Sequence, residues 1–346
     1  MAAETIDDAV GYFIEDLEYH GRSERTREAY ERVLRRFEEF LAGPRCPNER
    51  SLAPAEAGQR ECMAWVHSLR DSHSQSTVAT YASYLHRFYA YMMQVEAFDS
   101  NPMALVVEEM DETIEKDPQR REISLSAMRE FVAGITHPLD RAVIVVLLKT
   151  GIRVGELCNL DLRDLVLDDP DLDETYSLGT RGQLNGRADS LYVANDMSRG
   201  DVVNGEQRHA SNKRRRSTVV PVDAELQRTL RRWLAVRPNT TSVADPLFLS
   251  TRDGWGERLT PPMVRSIVTK HARSMGWYQS GGDAAENVTP HYFRHFFTTH
   301  LRDRTGDRGI VKYLRGDVAD DIIDTYTHNW GDRVRQLYLE NIYDLL

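Results

Sequence analysis

Thr150-Gly-Ile-Arg-Val-Gly-Glu-Leu157 interrupts an apolar helix at a glycine and restarts it with an arginine at the new beginning. The stretch before it, Arg141 to Leu148, reads as a strongly apolar helix. An arginine at a helix start joins a five-donor fork to the partial positive charge and unpaired N–H groups found there. That environment suits one phosphate. The same residue reads equally as a partner for a nearby carboxylate such as Glu156.

Outward from this point the chain divides in two. Upstream, apolar residues recur at helical spacing from Thr5 to about Glu18 and again after the cap-like Ser23, through Tyr30, Leu34, Phe37 and Leu41 to Gly43-Pro44. The pattern repeats over Ala55–Leu69 and from Ser76-Thr77 onward, until Asn101-Pro102 closes it. These features predict a helical domain over residues 1–107, its aromatic residues forming a core. Residues 108–122, EEMDETIEKDPQRRE, are charged and without apolar period, as a linker is. From 123 to 346 a second, mainly α domain is expected. It opens on a helix capped by Ser124-Leu-Ser126 and contains a small antiparallel β-sheet from Ser190-Leu-Tyr-Val-Ala and Ser217-Thr-Val-Val-Pro-Val. Helices return over 223–236, 262–275, 288–302, 308–314 and 333–345.

Composition excludes several classes. No run approaches the ~20 apolar residues of a membrane helix, and the N-terminus lacks a secretory signal. Three scattered cysteines form neither a disulfide framework nor a zinc pattern. A reduced, soluble, cytoplasmic protein is the expectation, with no membrane partner. No phosphate-binding glycine loop or HExxH is present, and the acidic stretch 168–174 lacks calcium-loop register and reads as a solvated loop. The formal net charge of −10 argues, taken alone, against a polyanionic partner. Its distribution argues otherwise: 11 basic and 19 acidic residues lie in 1–110, whereas residues 123–346 carry 30 of each. Lysine occurs at only five of the 44 basic positions, which fits a high-salt cytoplasm, such as that of a halophilic archaeon, or a GC-rich genome.

Three further stretches carry candidate chemistry. Ser211-Asn-Lys-Arg-Arg-Arg-Ser-Thr-Val-Val-Pro221 is a basic run leading into a strand. Thr289-Pro-His-Tyr-Phe-Arg-His-Phe-Phe-Thr-Thr-His-Leu301 puts His291 and Arg294 on one helix face. Leu314-Arg-Gly-Asp-Val-Ala-Asp-Asp-Ile-Ile-Asp-Thr-Tyr-Thr-His328 carries a tyrosine near the C-terminus. Each has a plain alternative: a solvated basic run, a surface His–Arg pair, a packed tyrosine.

Together, the order Arg153, Lys213, His291-x-x-Arg294, Tyr326 closely resembles that of the tyrosine recombinases, the phage integrase and Xer-like family, over nearly the whole chain. Residues 150–157, 289–301 and 323–328 match its two arginine boxes and its tyrosine box. Counting back from Val219-Val-Pro-Val to the sheet hairpin puts the family's lysine on Lys213. In the first domain the looser core-binding pattern includes Thr26, Tyr30, Thr77, Tyr81 and Arg87.

The resemblance implies a clamp of two domains around double-stranded DNA, a homotetramer in the active synapse, and cleavage that needs no metal or other cofactor. It makes Tyr326 the nucleophile of a 3′-phosphotyrosyl link. Arg153 and Arg294 would stabilise the transition-state charge. Lys213 would protonate the leaving oxygen, and His291 would assist proton transfer or orient the phosphate. Arg27, Thr77, Arg87, Arg214, Arg215 and Arg216 are the expected DNA contacts. One departure stands out: nine residues before Tyr326, where the family has His or Trp, is Asp317. A carboxylate there repels a phosphate unless it is protonated or turned away. His328 and His295 are the candidate substitutes. The sixty residues between Arg153 and Lys213 imply an insertion at 169–209. The other readings are a relaxing topoisomerase of the same chemistry and a DNA-binding accessory protein that has lost catalysis.

Overall fold

Polar caps and apolar spacing set the helices of the first half of the chain. The computed structural model describes residues 6–48, 50–114, 119–317 and 330–346, and the chain divides into two units at Pro118/Gln119. In the first unit α1 (Ala9–Tyr19), α2 (Glu24–Ala42) and α4 (Gln75–Gln94) each begin where a polar side chain caps a backbone N–H. Asp8 accepts from Gly11, Ser23 from Thr26 and Ser74 from Thr77, each cap worth ~1 kcal/mol. α3 (Gln59–Arg70) and α5 (Met103–Glu109) complete the bundle.

The core is aromatic, as expected. Phe13 meets Phe88 edge-on at 5.6 Å, Phe37 meets Trp65 at 5.2 Å, and the Tyr89 hydroxyl donates to the Pro54 carbonyl at 2.8 Å. Two boundaries differ from expectation. The helix predicted from Ala55 starts at Gln59, because the Glu61 carboxylate accepts the Gly58 N–H at 3.0 Å and fixes the start there, after one 3₁₀ turn at Pro54–Glu56. α5 runs to Glu109, two residues into the expected linker, with Val106 buried beneath it.

The second unit opens with α6 (Leu125–Ala133), capped by Ser124, and α7 (Pro138–Thr150). α7 is the apolar helix of the sequence, buried along its length and packed against α10 (Ala224–Leu234), α11 (Pro261–Ser274) and α12 (Pro290–Thr305). Beyond it lie α8 (Val154–Cys158), β1 (Leu165–Val166) and α9 (Pro170–Thr175). Then come β2 (Ser190–Val193), the ribbon β3 (Val202–Val203) with β4 (Glu206–Gln207), and β5 (Thr218–Pro221). α13 (Arg308–Arg315) and α14 (Trp330–Asn341) follow α12.

The main sheet is antiparallel in the order β1-β2-β5, with Leu191 opposite Val220 and Leu165 opposite Leu191. Residues 169–209 are therefore no simple appendage, for they contribute the central strand, whose Leu191 and Val193 enter the main core while Tyr192 packs with Leu184 and Met197. The acidic stretch read as a loop starts α9, with Asp169 capping it and paired to Arg231. Among the described residues no helix is long and apolar enough to cross a membrane.

A buried ion cluster closes this unit. The Lys149 ammonium is 2.7 Å from Asp223 and 2.6 Å from Glu225, and donates to the Tyr343 carbonyl at 2.5 Å. Glu225 also accepts the N–H groups of Leu345 and Leu346, so the segment after α14 is folded into its own unit. Removing one partner of a buried ion pair costs about 3–5 kcal/mol, because the survivors keep their desolvation penalty. Lys149→Ala should accordingly lower the hydrogen-exchange protection of α7 and α10 by that amount and leave α4 unchanged.

Candidate active site

Gly151 ends α7 in the left-handed conformation at φ 63°, where a Cβ would fall on the Phe297 ring. The chain turns, and Arg153 becomes the N-cap residue of α8 in extended conformation. Glu156, with no exposed surface, accepts the Arg153 N–H at 2.9 Å and its Nη1 at 3.1 Å. The carboxylate pairing foreseen as the plain alternative therefore exists, and it does not exhaust the guanidinium. The other end, Nη2, points to Asp317 at 2.8 Å.

Arg294 arrives from α12, its side chain only 3% exposed. Its Nη1 donates to the Gly151 carbonyl at 2.6 Å, and its Nη2 to the Arg315 carbonyl at 3.1 Å. The same Nη2 reaches both Asp317 oxygens, at 2.9 and 2.8 Å. Burial and the neighbouring positive charges of Arg153 and Arg315 push its pKa down to about 10, so it stays charged at neutral pH. For Arg153, burial pulls the same way but is outweighed by Glu156 and Asp317, which hold its proton more firmly.

Asp317 is placed by the end of α13. Gly316 adopts φ 69°, its N–H donates to the Tyr313 carbonyl and the Asp317 N–H to the Lys312 carbonyl, the paired bonds of a Schellman turn. Burial opposes ionisation of this carboxyl, but Arg294, Arg153 and Arg315 keep its pKa below the ordinary value. In the DNA-free protein the Asp317 carboxylate is ionised and turned into the arginines.

His291 lies in the first turn of α12, at the surface. Desolvation of the ring, then the guanidiniums of Arg120, Arg294, Arg153 and Arg315, lower its pKa. It is thus neutral at pH 7 and able to take a proton. His295, a candidate substitute at the Asp317 position, faces Arg120 instead, Nδ1 to Nη1 at 3.3 Å. His328 and Tyr326 lie outside the described residues.

The basic run alternates in and out. Asn212 and Arg214 are buried, and Lys213 and Arg215 are exposed. Asn212 donates to the Ala194 carbonyl and accepts from Asn159, both near 2.8–2.9 Å, which anchors the residue before Lys213. A Cβ on Gly155 would sit 2.5 Å from the Ser211 carbonyl, so α8 and this loop touch backbone to backbone.

Arg214 corrects an expectation. Its side chain is wholly buried, bonded to Glu156 at 3.1 Å, Thr218 at 2.6 Å and the Leu314 carbonyl at 2.7 Å, so it braces the site and does not face a DNA backbone. Arg215 is open, and Arg216 lies over the Tyr313 ring at 5.4 Å. In the first unit Arg87 is exposed, Arg27 is ion-paired with Glu18, and the Thr77 hydroxyl meets Ser74 at the start of α4. Sequence reasoning missed Arg315, whose Nη2 is 2.7 Å from Asp317, and Arg120 beside His295. The signal for Arg315 was its place two residues before the anomalous aspartate.

The sequence pattern of the phage integrase family matches residues 194–332, and that of the phage integrase N-terminal SAM-like domain matches residues 11–97. Tyrosine recombinase XerC of Pelotomaculum thermopropionicum is 26% identical over 328 residues, which is 91% of each chain. The Tn1549 transposon integrase, solved with a circular intermediate DNA, shares the fold with a TM-score of 0.63 at 17% identity, covering 95% of this chain and 98% of that one. A lambda integrase tetramer bound to a Holliday junction superposes with a TM-score of 0.60 at 16% identity, over 90% and 77%. With two patterns of this family along one chain and a XerC relative matched over nine-tenths of its length, the chain belongs to the phage integrase family of tyrosine recombinases.

Proposed function

We propose that this recombinase cuts and rejoins duplex DNA at specific sites by passing a phosphodiester to Tyr326, with Arg153, Lys213, His291 and Arg294 as its catalytic set. One observation carries the reading of the site. Two arginines from separate elements, the start of α8 and the first turns of α12, converge on a single pair of carboxylate oxygens. The same convergence serves the two non-bridging oxygens of a phosphodiester and stabilises the charge that grows in the pentacoordinate transition state.

The Tyr326 oxygen forms a bond to phosphorus as the bond to the 5′ oxygen breaks. Tyrosine, with a pKa of ~10, must give up its proton, and the neutral ring of His291 takes it. Lys213 supplies the proton that the departing 5′ oxygen needs. Because the phosphotyrosyl link preserves the ester, a 5′-hydroxyl from another strand can reverse the step and complete exchange. A tetramer on DNA, as in the lambda integrase complex, supplies the four strands. Arg215, Arg216, Arg27, Arg87 and Thr77 are the contacts to the duplex outside the reacting phosphate, and the reaction takes place in the cytoplasm.

A nicked suicide duplex traps the intermediate. Wild-type protein should form a covalent adduct, Tyr326→Phe none, and Arg153→Ala or Arg294→Ala about 10²–10³-fold less per unit time. No adduct from the wild type would favour an accessory DNA-binding role, and an adduct with relaxation of any plasmid but no exchange between sites would favour a topoisomerase.

The lowered pKa of His291 sets the pH profile. Its neutral form persists below the ordinary value of ~6.5, so cleavage should fall only as the pH drops beneath that value. His291→Gln should be slower at neutral pH and lack this acid limb.

Salt dependence separates contact from brace. Arg215→Ala and Arg216→Ala should each reduce the slope of log affinity against log salt by about 1. Arg214→Ala should leave the slope unchanged while lowering the thermal midpoint.

A further inference from the structure

Three guanidiniums meet at one carboxylate. Asp317 Oδ1 accepts from Arg153 at 2.8 Å and Arg294 at 2.9 Å, and Oδ2 lies 2.8 Å from Arg294 and 2.7 Å from Arg315. The arginines come from three places: the start of α8, the body of α12 and the end of α13. Glu156 balances part of the charge of Arg153 and Arg214 from below. Arg294 and Arg315 retain only Asp317 as an anionic partner among the described ion pairs.

The two anions of the site are held very differently. Glu156 is completely buried and also bonded by a backbone N–H, so it cannot leave without unpacking the site. The Asp317 side chain is 25% exposed and stands on a single Schellman turn at the rim. It presents two equivalent oxygens and one negative charge, as a phosphodiester does through its non-bridging oxygens. Replacing one by the other conserves both the charge and the hydrogen bonds of the three arginines. Both together would place like charges in contact.

We propose that Asp317 occupies the place of the scissile phosphodiester in the free protein, keeping Arg153, Arg294 and Arg315 convergent until DNA displaces it, and that Arg315 is a third phosphate-binding arginine of this site. The inference rests on the recombinase reading for the identity of the incoming anion. The anomalous aspartate thereby acquires a role. Without Asp317 the three guanidiniums would share only Glu156, on Arg153, and would repel one another; the carboxylate holds them in the geometry that the substrate then inherits. Its cost is competition, since every phosphate that binds must first break the contacts of an internal rival.

Inorganic phosphate probes the exchange without requiring cleavage. Wild type, Asp317→Ala, Asp317→Asn and the double variant Asp317→Ala with Arg315→Ala would be melted across a phosphate series at constant ionic strength. Removing the carboxylate should increase the apparent phosphate affinity at least tenfold over wild type, seen as a thermal midpoint that rises with phosphate in Asp317→Ala and scarcely in wild type. Adding Arg315→Ala should reverse most of that gain. Equal phosphate affinity in wild type and the Asp317 variants would overturn the displacement, and an unchanged affinity on removing Arg315 would overturn its role. Asp317→Asn keeps the shape and decides the matter if Asp317→Ala does not fold. A wild type that gives no adduct on the suicide duplex would sink the recombinase reading alone, because the phosphate titration stands without it.

Discussion

A carboxylate without access to water, that of Glu156, is the point on which the site depends. It binds the backbone and guanidinium of Arg153, and it binds Arg214 from the run that leads into β5. Arg214 in turn reaches the Leu314 carbonyl at the end of α13, where Gly316 leaves room for its guanidinium. One buried anion thus ties together three segments that are far apart in sequence. Isolated, it would be intolerably desolvated; with two arginines it becomes a cornerstone. The arginines gain as much, because their remaining N–H groups are then aimed at one spot.

The ends of the helices contribute in a related way. α13 finishes with carbonyls that have no partner in the helix, and two of them are taken by arginines, Leu314 by Arg214 and Arg315 by Arg294. Cations at a helix C-terminus also oppose its dipole. A single set of arginines therefore completes secondary structure and builds an anion site at once. This arrangement explains how a chain of net charge −10 can hold a strongly cationic site. The bulk charge is spread over the first unit and the surface, while the site's field is set by a few guanidiniums held within hydrogen-bonding distance of one carboxylate.

Much of this was legible in the sequence. The apolar run before Gly151, the capping serines at 23 and 124 and the strand-like runs around Ser190 and Val219 each encode a local rule, and the corresponding elements form. Arg153 and Arg294 could be singled out because the family order fixes them, and the structure brings both to Asp317. Arg214 could not be read correctly. Three consecutive arginines look alike on paper, and only the alternation of an anchored chain, with Asn212 held by Asn159, buries the first of them and exposes the second. α5 runs two residues past the boundary expected at residue 107, because a helix continues through charged residues such as Glu108 and Glu109 as readily as a linker does. Arg315 was missed because its partner is contiguous with it only through a turn, and no period in the sequence announces a Schellman motif.

Gly155 has a consequence beyond its own turn. The backbone of α8 lies against the Ser211 carbonyl with no room for even one carbon between them. The loop that carries Lys213 is therefore gauged from the helix that carries Arg153, and the gauge is an absence of atoms. The positions of Arg153 and Lys213 cannot be shifted separately: any side chain at 155 would push the Ser211 carbonyl, and the loop that leads to Lys213, away from α8 while leaving both residues chemically intact. The spacing of the two segments is then written into the closest approach of two stretches of main chain.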